Sequence, residues 1–134
     1  MSETEPQHET LVGLARQARE NAQAAYSNFR VGAALRATSG RVFGGSNVEN
    51  STYGLTVCAE RVALWKALSE GERGFDAIAV VADTEALTPP CGACRQLLWE
   101  FCGDIPVILA NLTGRREVVR LRELFPRPFD ASSL

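Results

Sequence analysis

Two short cysteine-containing segments constrain the fold of this chain more than any other feature. One reads CAER (residues 58–61) and the other PCGAC (residues 90–94), and each lies where a helix is predicted to begin. Cys91 and Cys94 are three residues apart, so in a first helical turn their side chains lie on the same face. The positive end of a helix lowers the pKa of a thiol, which favours the thiolate that binds metal. The two prolines before Cys91 cannot lie inside a helix and therefore fix where this helix starts.

The three cysteines of these segments can together hold one zinc ion. Cys58 opens its own helix and can supply a third thiolate beside Cys91 and Cys94. Structural zinc is closed by four protein ligands, whereas catalytic zinc keeps one position for water. The only histidine, His8, lies in the N-terminal tail and is a poor fourth ligand. Three cysteines with Glu60 nearby therefore indicate an open zinc site, one per chain.

The spacing of these segments leaves two points open. Taken alone, a CxxC pair is equally typical of a catalytic zinc site and of a redox pair or half a structural zinc site. The added CAE segment favours the catalytic site. The direction of Glu60 is not settled by spacing, because positions two apart do not share a helix face, so Cys58 is expected at the helix cap. The fourth cysteine, Cys102, is interpreted as a small buried apolar group.

The rest of the chain alternates helical and extended patterns. Apolar residues recur at helical spacing from Leu11 to Ala25, and a turn signal at residues 38–40 separates the two strands of a hairpin. The predicted order is helix 11–26, strands 30–37 and 41–46, helix 58–69, strand 77–82, helix 91–102, and strands 106–110 and 117–121. This alternation predicts an α/β fold, a three-layer α/β/α sandwich around a mixed five-stranded sheet. Residues 1–9 are expected to form a flexible tail and residues 10–134 a single catalytic domain.

The predicted helix 58–69 is apolar nearly all round. Val62, Leu64, Trp65 and Leu68 point in several directions on it. A domain of 134 residues can cover only one face of such a helix with its own sheet. We therefore expect a partner subunit to cover part of the remaining apolar surface.

Composition and charge argue against several classes of partner. The net charge is −2 and the arginines are scattered, so the chain lacks the basic stripe that replaces the counterions of a nucleic acid. No apolar run is long enough to cross a bilayer. The N-terminus is polar and acidic, unlike a signal or transit peptide. We therefore expect a cytoplasmic protein that acts on a small molecule, with no nucleic-acid or membrane partner.

From about Leu11 to Phe129 the chain resembles the small, homotetrameric cytidine deaminases. The motifs that carry the resemblance are YSNFRVGAAL, GSNVENSTYG, CAERVAL, PPCGACRQLL and LRELFPRPF. The wider class of zinc deaminases has a histidine as first ligand, and Cys58 takes its place here, as in the three-cysteine branch of the family. The resemblance implies zinc-dependent hydrolytic deamination of cytidine and deoxycytidine to uridine and deoxyuridine, with release of ammonia, in pyrimidine salvage. It also implies a homotetramer with shared active sites.

The resemblance assigns roles to the two residues that follow Ala59. Glu60 takes the proton of the attacking water and delivers protons to ring nitrogen 3 and to the leaving amine. Three thiolates on a divalent zinc give a net charge of about −1, so a positive group should compensate. Arg61 resembles the family arginine that hydrogen-bonds the ligand sulfurs. Without the motif, Arg61 would be interpreted as an ordinary surface arginine.

Other positions match family residues that bind the nucleoside. Asn47 and Glu49 match the two that bind the ribose, and an amide and a carboxylate suit sugar hydroxyls. Phe29 matches the residue that stacks near the base, and Ala59 the position whose backbone contacts the base. Without the resemblance, the segment around Asn47 would be interpreted as a loop of turn formers and Phe29 as a core residue.

Two aromatic residues carry the expectation of shared active sites. Tyr53 and Phe129 match positions that line a neighbouring subunit's pocket, in agreement with the all-round apolar helix. Phe129 taken alone could equally pin down the C-terminal tail. The segment ENSTYG departs from the usual pattern at Ser51 and Thr52, which leaves the detail of the pocket open.

Three other functions compete with this one. A relative with the same zinc centre could act on another aminopyrimidine nucleoside such as blasticidin-S, although the NVEN segment and Phe29 favour an ordinary nucleoside. A polynucleotide deaminase is disfavoured because the chain lacks a basic groove and the histidine ligand. A non-catalytic zinc module has no use for a carboxylate beside an open zinc, so Glu60 argues against it.

Overall fold

Helices and strands follow one another in the order that the sequence predicts. The computed structural model describes residues 5–134. The main elements are α1 (Pro6–Arg19), β1 (Val31–Ala37), β2 (Val42–Ser46), α2 (Ala59–Ser69), β3 (Phe75–Ala82), α3 (Gly92–Cys102), β4 (Pro106–Ala110), β5 (Arg116–Arg120) and the short α4 (Leu121–Leu124). Two 3-10 turns, Tyr53–Leu55 and Ala131–Ser133, complete the described elements. Across these residues no helix has both the length and the apolar character needed to cross a membrane.

The first helix begins earlier than its predicted start at Leu11. Its first residue is Pro6. Proline suits the first turn of a helix because the N–H that it lacks would have no intrahelical partner there. Residues 6–9, which the pattern assigned to the tail, are therefore helical. Residues 1–4 of the predicted tail lie outside the described residues.

The first helix also ends earlier than predicted, at Arg19 rather than near Tyr26. Beyond it, the backbone N–H of Gln23 donates to Asn47 O at 2.9 Å, and Glu49 N donates to Gln23 O at 2.8 Å. These bonds draw the chain away from helical geometry and pair it with the segment that follows β2. Backbone pairing with a distant segment thus overrides the local helical pattern.

The five strands form one mixed sheet in the order β2-β1-β3-β4-β5. β1 pairs antiparallel with both β2 and β3, and β4 pairs antiparallel with β5. β3 and β4 are parallel, and α3 is the crossover helix that a parallel pair requires. The mixed five-stranded sheet is the predicted one, although β5 begins and ends one residue earlier than expected.

Helices cover both faces of the sheet, and β3 shows this by its alternation. Ala77, Ala79 and Val81 pack in one cluster with the buried side of α1, which comprises Leu11, Val12 and Ala15. Ile78, Val80 and Ala82 belong to the larger cluster on the other face, together with the buried apolar residues of α2 and Leu98 of α3. Successive side chains of a strand point to opposite faces, so the molecule is the predicted three-layer α/β/α sandwich.

The segments that build the site meet at one end of the strands, where β1 begins and β2 and β3 end. Val31 at the start of β1 pairs with Ala82 at the end of β3, and the end of β2 lies beside the same part of β1. α2 lies so close against β2 here that a Cβ on Gly45 would clash with Ala59 O. Only a residue without a side chain leaves room for that contact, which sets the first turn of α2 against the sheet.

The apolar surface of α2 is buried on one side and exposed on another. Ala63, Leu64 and Ala67 are buried in the larger cluster, whereas Trp65 keeps 50% of its surface exposed. The domain thus covers one face of this helix with its own sheet and leaves Trp65 uncovered. That a partner subunit covers it remains a prediction.

Candidate active site

The three predicted cysteine ligands come together at the starts of α2 and α3. Cys58 is the N-cap of α2, as expected, and Cys91 is the N-cap of α3, with Cys94 in the first turn. Their three sulfur atoms all lie within 4.8 Å of one another, and Cys58 Sγ is 3.7 Å from Cys91 Sγ. Two thiolates on a tetrahedral zinc, with Zn–S bonds of about 2.3 Å, are separated by about 3.8 Å. The cluster therefore fits a zinc ion.

The fourth cysteine lies apart from this cluster. Within residues 5–134, the group of side chains close enough to share a metal consists of Cys58, Cys91 and Cys94. Cys102 packs instead against the larger hydrophobic core. Burial raises the pKa of the Cys102 thiol to about 12, so it stays protonated as a small apolar group.

The sulfur cluster favours negative charge on Cys58. A hydrogen bond from the Cys94 thiol, together with the guanidinium of Arg61, lowers the pKa of Cys58 to about 5. The same interaction raises the pKa of Cys94, because its proton is held between the two sulfurs. The pair therefore favours the thiolate on Cys58 and the thiol on Cys94. Zinc binding must displace the remaining protons, which makes affinity dependent on pH.

Arg61 lies beside the sulfurs, in the first turn of α2. Its Nη2 donates to Cys58 Sγ at 3.8 Å, and its guanidinium stands 5.9 Å from the ring centre of Trp65. The hydrogen bond to Cys58 raises the pKa of Arg61, so the group stays charged. Its Nε is buried and finds no hydrogen-bond partner among residues 5–134. Arg61 thus places a fixed positive charge against the cysteine cluster.

Glu60 is a buried acid beside the cluster. Its side chain lines the same cavity as Cys58 and Cys91, and only 5% of its surface is exposed. Burial is the largest cause that raises the pKa of Glu60 to about 7, and the negative charge on Cys58 raises it further. A carboxyl group with a pKa near neutrality can both accept and donate a proton at physiological pH. The position has the chemistry of a proton shuttle.

A cavity of about 230 Å³ lies in front of Glu60 and the sulfurs. It is lined by Phe29, Val31, Asn47, Glu49, Thr56, Val57, Cys58, Ala59, Glu60, Val80, Thr88, Pro89 and Cys91. The structure thus brings Phe29, Asn47, Glu49 and Ala59 to one cavity with the metal cluster. Sequence reasoning missed Thr56 and Thr88, because a single threonine in a loop carries no signal of its own.

The two predicted sugar-binding side chains are already bonded to the chain. Asn47 accepts from Val31 N at 2.8 Å and donates to Phe29 O at 2.8 Å. Glu49 accepts through Oε1 from the backbone N–H groups of Tyr26 and Ser27, both at 2.9 Å. An amide and a carboxylate keep further hydrogen-bonding capacity beyond these bonds, so both can still meet a ligand in the cavity.

Tyr53 and Phe129 lie outside this cavity. Tyr53 is 77% exposed and lines an adjoining groove that shares Glu49 with the cavity. Phe129 is 60% exposed, and its backbone oxygen accepts a hydrogen bond from Gln96 Nε2 at 2.7 Å. Within one chain, therefore, the structure does not bring these two aromatic rings to the metal cluster.

Residues 5–110 match the family described as the cytidine and deoxycytidylate deaminase zinc-binding region. The chain belongs to this family. Among its relatives, the cytidine deaminase of Halalkalibacterium halodurans is 53% identical over 125 residues, which cover 92% of this chain and 95% of the relative. That of Sporosarcina psychrophila is 50% identical over 127 residues, covering 94% and 93% of the two chains.

Solved structures of cytidine deaminases share the fold. The crystal structure of cytidine deaminase from Burkholderia pseudomallei superimposes with a TM-score of 0.87 at 49% identity, covering 91% of this chain and 98% of that one.

A more distant relative, the blasticidin-S deaminase of Bacillus cereus, is 31% identical over 104 residues, which cover 72% of this chain and 74% of the relative. The chain thus covers more than nine tenths of the cytidine deaminases named above and about three quarters of the blasticidin-S deaminase.

The cysteine cluster generates a prediction about metal content. The purified protein is expected to hold one zinc per chain and to lose it on acidification, because protonated thiols do not bind metal. Cys91→Ser is expected to remove most of the zinc. Cys102→Ala serves as the matched control and should keep it, since Cys102 lies in the core. Elemental analysis of the folded variants measures both, and zinc-free active protein would contradict the assignment.

Proposed function

We propose that this protein hydrolyses cytidine and deoxycytidine to uridine and deoxyuridine and releases ammonia. The observation that carries the proposal is the buried carboxyl group of Glu60, which shares a cavity with Cys58 and Cys91. Its pKa of about 7 suits proton transfer at neutral pH. Relatives that are about half identical over nearly the whole chain are named cytidine deaminases.

In the proposed reaction, zinc would activate water and Glu60 would transfer protons. Cys58, Cys91 and Cys94 would hold the zinc, which when bound supplies a Lewis acid that activates water. Glu60 accepts one proton from the attacking water and passes it to ring nitrogen 3. It then takes the second proton from the hydroxyl formed on carbon 4 and passes it to the leaving amine. Burial supports both steps, because it raises the pKa of Glu60 and so lets the protonated acid persist at neutral pH.

Arg61 is proposed to balance the charge of the centre. Three thiolates around a divalent ion leave a net charge of about −1, which opposes ionisation of water at that site. The hydrogen bond from Arg61 Nη2 to Cys58 Sγ draws electron density from the sulfur. The N-termini of α2 and α3 place further partial positive charge at the same point.

The other cavity residues are proposed to hold the nucleoside. Phe29 would stack near the base, and the backbone at Ala59 would contact its polar edge. Asn47 and Glu49 would hydrogen-bond the sugar hydroxyls, using the capacity that their bonds to the 26–31 segment leave free. Their presence in the cavity with Glu60 supports this arrangement.

We further propose a homotetramer with shared active sites. Tyr53 and Phe129 are exposed and lie outside the chain's own cavity, so each is available to a neighbouring pocket. The uncovered ring of Trp65 on α2 is the apolar surface that a partner would bury. A cytoplasmic location agrees with the four free cysteines, since a reducing compartment keeps such thiols from forming disulfides.

An ultraviolet assay with cytidine, deoxycytidine, free cytosine and blasticidin-S tests the proposed substrate. Both nucleosides are expected to be deaminated, with kcat/KM for cytosine lower by about ten-thousandfold or more, because buried polar groups left unpaired by a missing partner discriminate strongly. Comparable efficiency on cytosine would contradict sugar recognition by Asn47 and Glu49. Preferential turnover of blasticidin-S would favour that substrate instead, and no turnover with zinc bound would indicate a non-catalytic module.

Glu60→Gln is expected to keep the fold and the zinc but to lower kcat by at least about a hundred- to ten-thousandfold, since the proton shuttle is removed. Glu70→Gln is the matched control: Glu70 is exposed and pairs with Arg41 at 2.6 Å, far from the cavity. Steady-state kinetics with metal analysis on each variant makes the comparison. A Glu60→Gln enzyme with normal turnover would remove Glu60 from the mechanism.

Mixing two inactive variants tests whether active sites are shared. Glu60→Gln and Phe129→Ala are each expected to have low activity as pure assemblies. Mixed assemblies should recover part of it, because some pockets combine an intact Glu60 with an intact Phe129 from the neighbour. Activity is measured after co-refolding at a fixed total concentration. A fully active monomer by light scattering would refute both the assembly and the sharing.

A further inference from the structure

We propose that Ser27 is a positioning residue for sugar recognition, which it achieves by holding the carboxylate of Glu49; this inference rests on the proposed function. Ser27 Oγ donates a hydrogen bond to Glu49 Oε2. The backbone N–H of the same serine donates to Glu49 Oε1 at 2.9 Å. One residue therefore binds both oxygens of the carboxylate and fixes its plane, as a single contact could not.

The direction of the hydroxyl bond is determined by its neighbours. A serine hydroxyl has one proton to donate and two lone pairs to accept with. The backbone N–H of Phe29 donates to Ser27 Oγ at 3.0 Å and occupies one lone pair. Ionised Glu49 can only accept, so the hydroxyl proton points to Oε2. The same bonds lower the pKa of Glu49, the hydroxyl bond being the largest cause.

The backbone conformation of this turn suits the arrangement. Asn28 has a φ of 59°, which makes it the one non-glycine residue with positive φ in the described part of the chain. Asparagine tolerates this left-handed region better than most residues. The reversal at Asn28 brings the Phe29 N–H back over the Ser27 hydroxyl, so that the turn closes on itself before it enters β1.

The geometry leaves Glu49 one defined way to meet a ligand. Oε1 already accepts two backbone N–H groups, from Tyr26 and Ser27. Oε2 accepts the Ser27 hydroxyl alone among the bonds found within residues 5–134, and so keeps the free acceptor capacity of the carboxylate. Because Glu49 lines the cavity that holds Glu60, this oxygen is the acceptor offered to a sugar hydroxyl. Ser27 sets its direction.

A double-mutant cycle between Ser27 and Glu49 tests this role, measured as kcat/KM for cytidine on the zinc-loaded full chain. Ser27→Ala is expected to lower kcat/KM by about tenfold, the order expected for a hydrogen bond to a charged group. Glu49→Ala is expected to lower it further. In the Glu49→Ala background, Ser27→Ala should then cost less than about twofold, because the hydroxyl has no carboxylate left to hold.

Two further variants separate positioning from a general loss of structure. Ser27→Thr keeps the hydroxyl and is expected to retain kcat/KM within about threefold of the unaltered enzyme. Ser39→Ala is the matched control, because the Ser39 hydroxyl also bonds a carboxylate, that of Glu72 at 3.0 Å. Ser39 lies beyond the opposite end of β1, so the Ser39→Ala variant should leave kcat/KM unchanged. If Ser27→Ala does not fold, Ser27→Cys, with a similar size and a weaker donor, replaces it in the cycle.

The outcomes distinguish this inference from the proposed function. Equal losses from Ser27→Ala in the unaltered and Glu49→Ala backgrounds would overturn the inference, as would unaltered kcat/KM in Ser27→Ala. Absence of cytidine deamination by the unaltered chain would overturn the proposed function and this inference with it. Non-additivity together with rescue by threonine supports the positioning role of Ser27.

Discussion

The meeting of two helix N-termini is the constraint on which the rest of this structure depends. Cys58 and Cys91 are both N-caps with extended backbone, and neither side chain makes a capping hydrogen bond to the backbone of its own helix. Their thiols are therefore free to face each other, 3.7 Å apart, where two helix dipoles favour negative charge. Arg95 holds the second start in place by donating to Pro90 O and Leu124 O at 2.8 Å and 2.7 Å. Close packing at Gly45 holds the first.

Charge balance at this point ties the metal cluster to the acid beside it. The negative charge that Cys58 carries raises the pKa of Glu60, and Arg61 acts in the opposite direction. Burial nevertheless contributes most to that pKa, so the acid owes its proton affinity chiefly to its place between helix and sheet. The charges on Cys58 and Arg61 therefore affect the metal site and the pKa of Glu60 together, so metal binding and proton transfer are coupled.

Two residues that line the cavity also hold the neighbouring loop, residues 26–31, in place. Asn47 and Glu49 line the cavity and also bond the backbone of residues 26–31. Any change at either residue therefore alters both the polar surface offered to a ligand and the placement of Phe29. The backbone of the segment from Asn47 to Glu49 also pairs with the chain beyond Arg19, through the hydrogen bonds between Gln23 and residues 47 and 49. This pairing replaces helical hydrogen bonds, so the first helix ends at Arg19.

The sequence by itself determined the order of elements, the mixed α/β sandwich and the cysteine set, because helical and strand periodicity and ligand spacing are local properties. Cys58 at a helix cap was predictable for the same reason. Tertiary structure decided the end of α1, the burial of Glu60 and the Ser27–Glu49 pair, since each depends on residues brought together from distant segments. It also left Tyr53 and Phe129 outside the cavity. A pKa near 7 for Glu60 in particular cannot be inferred from its neighbours in sequence, because its main cause is removal from water by the surrounding fold.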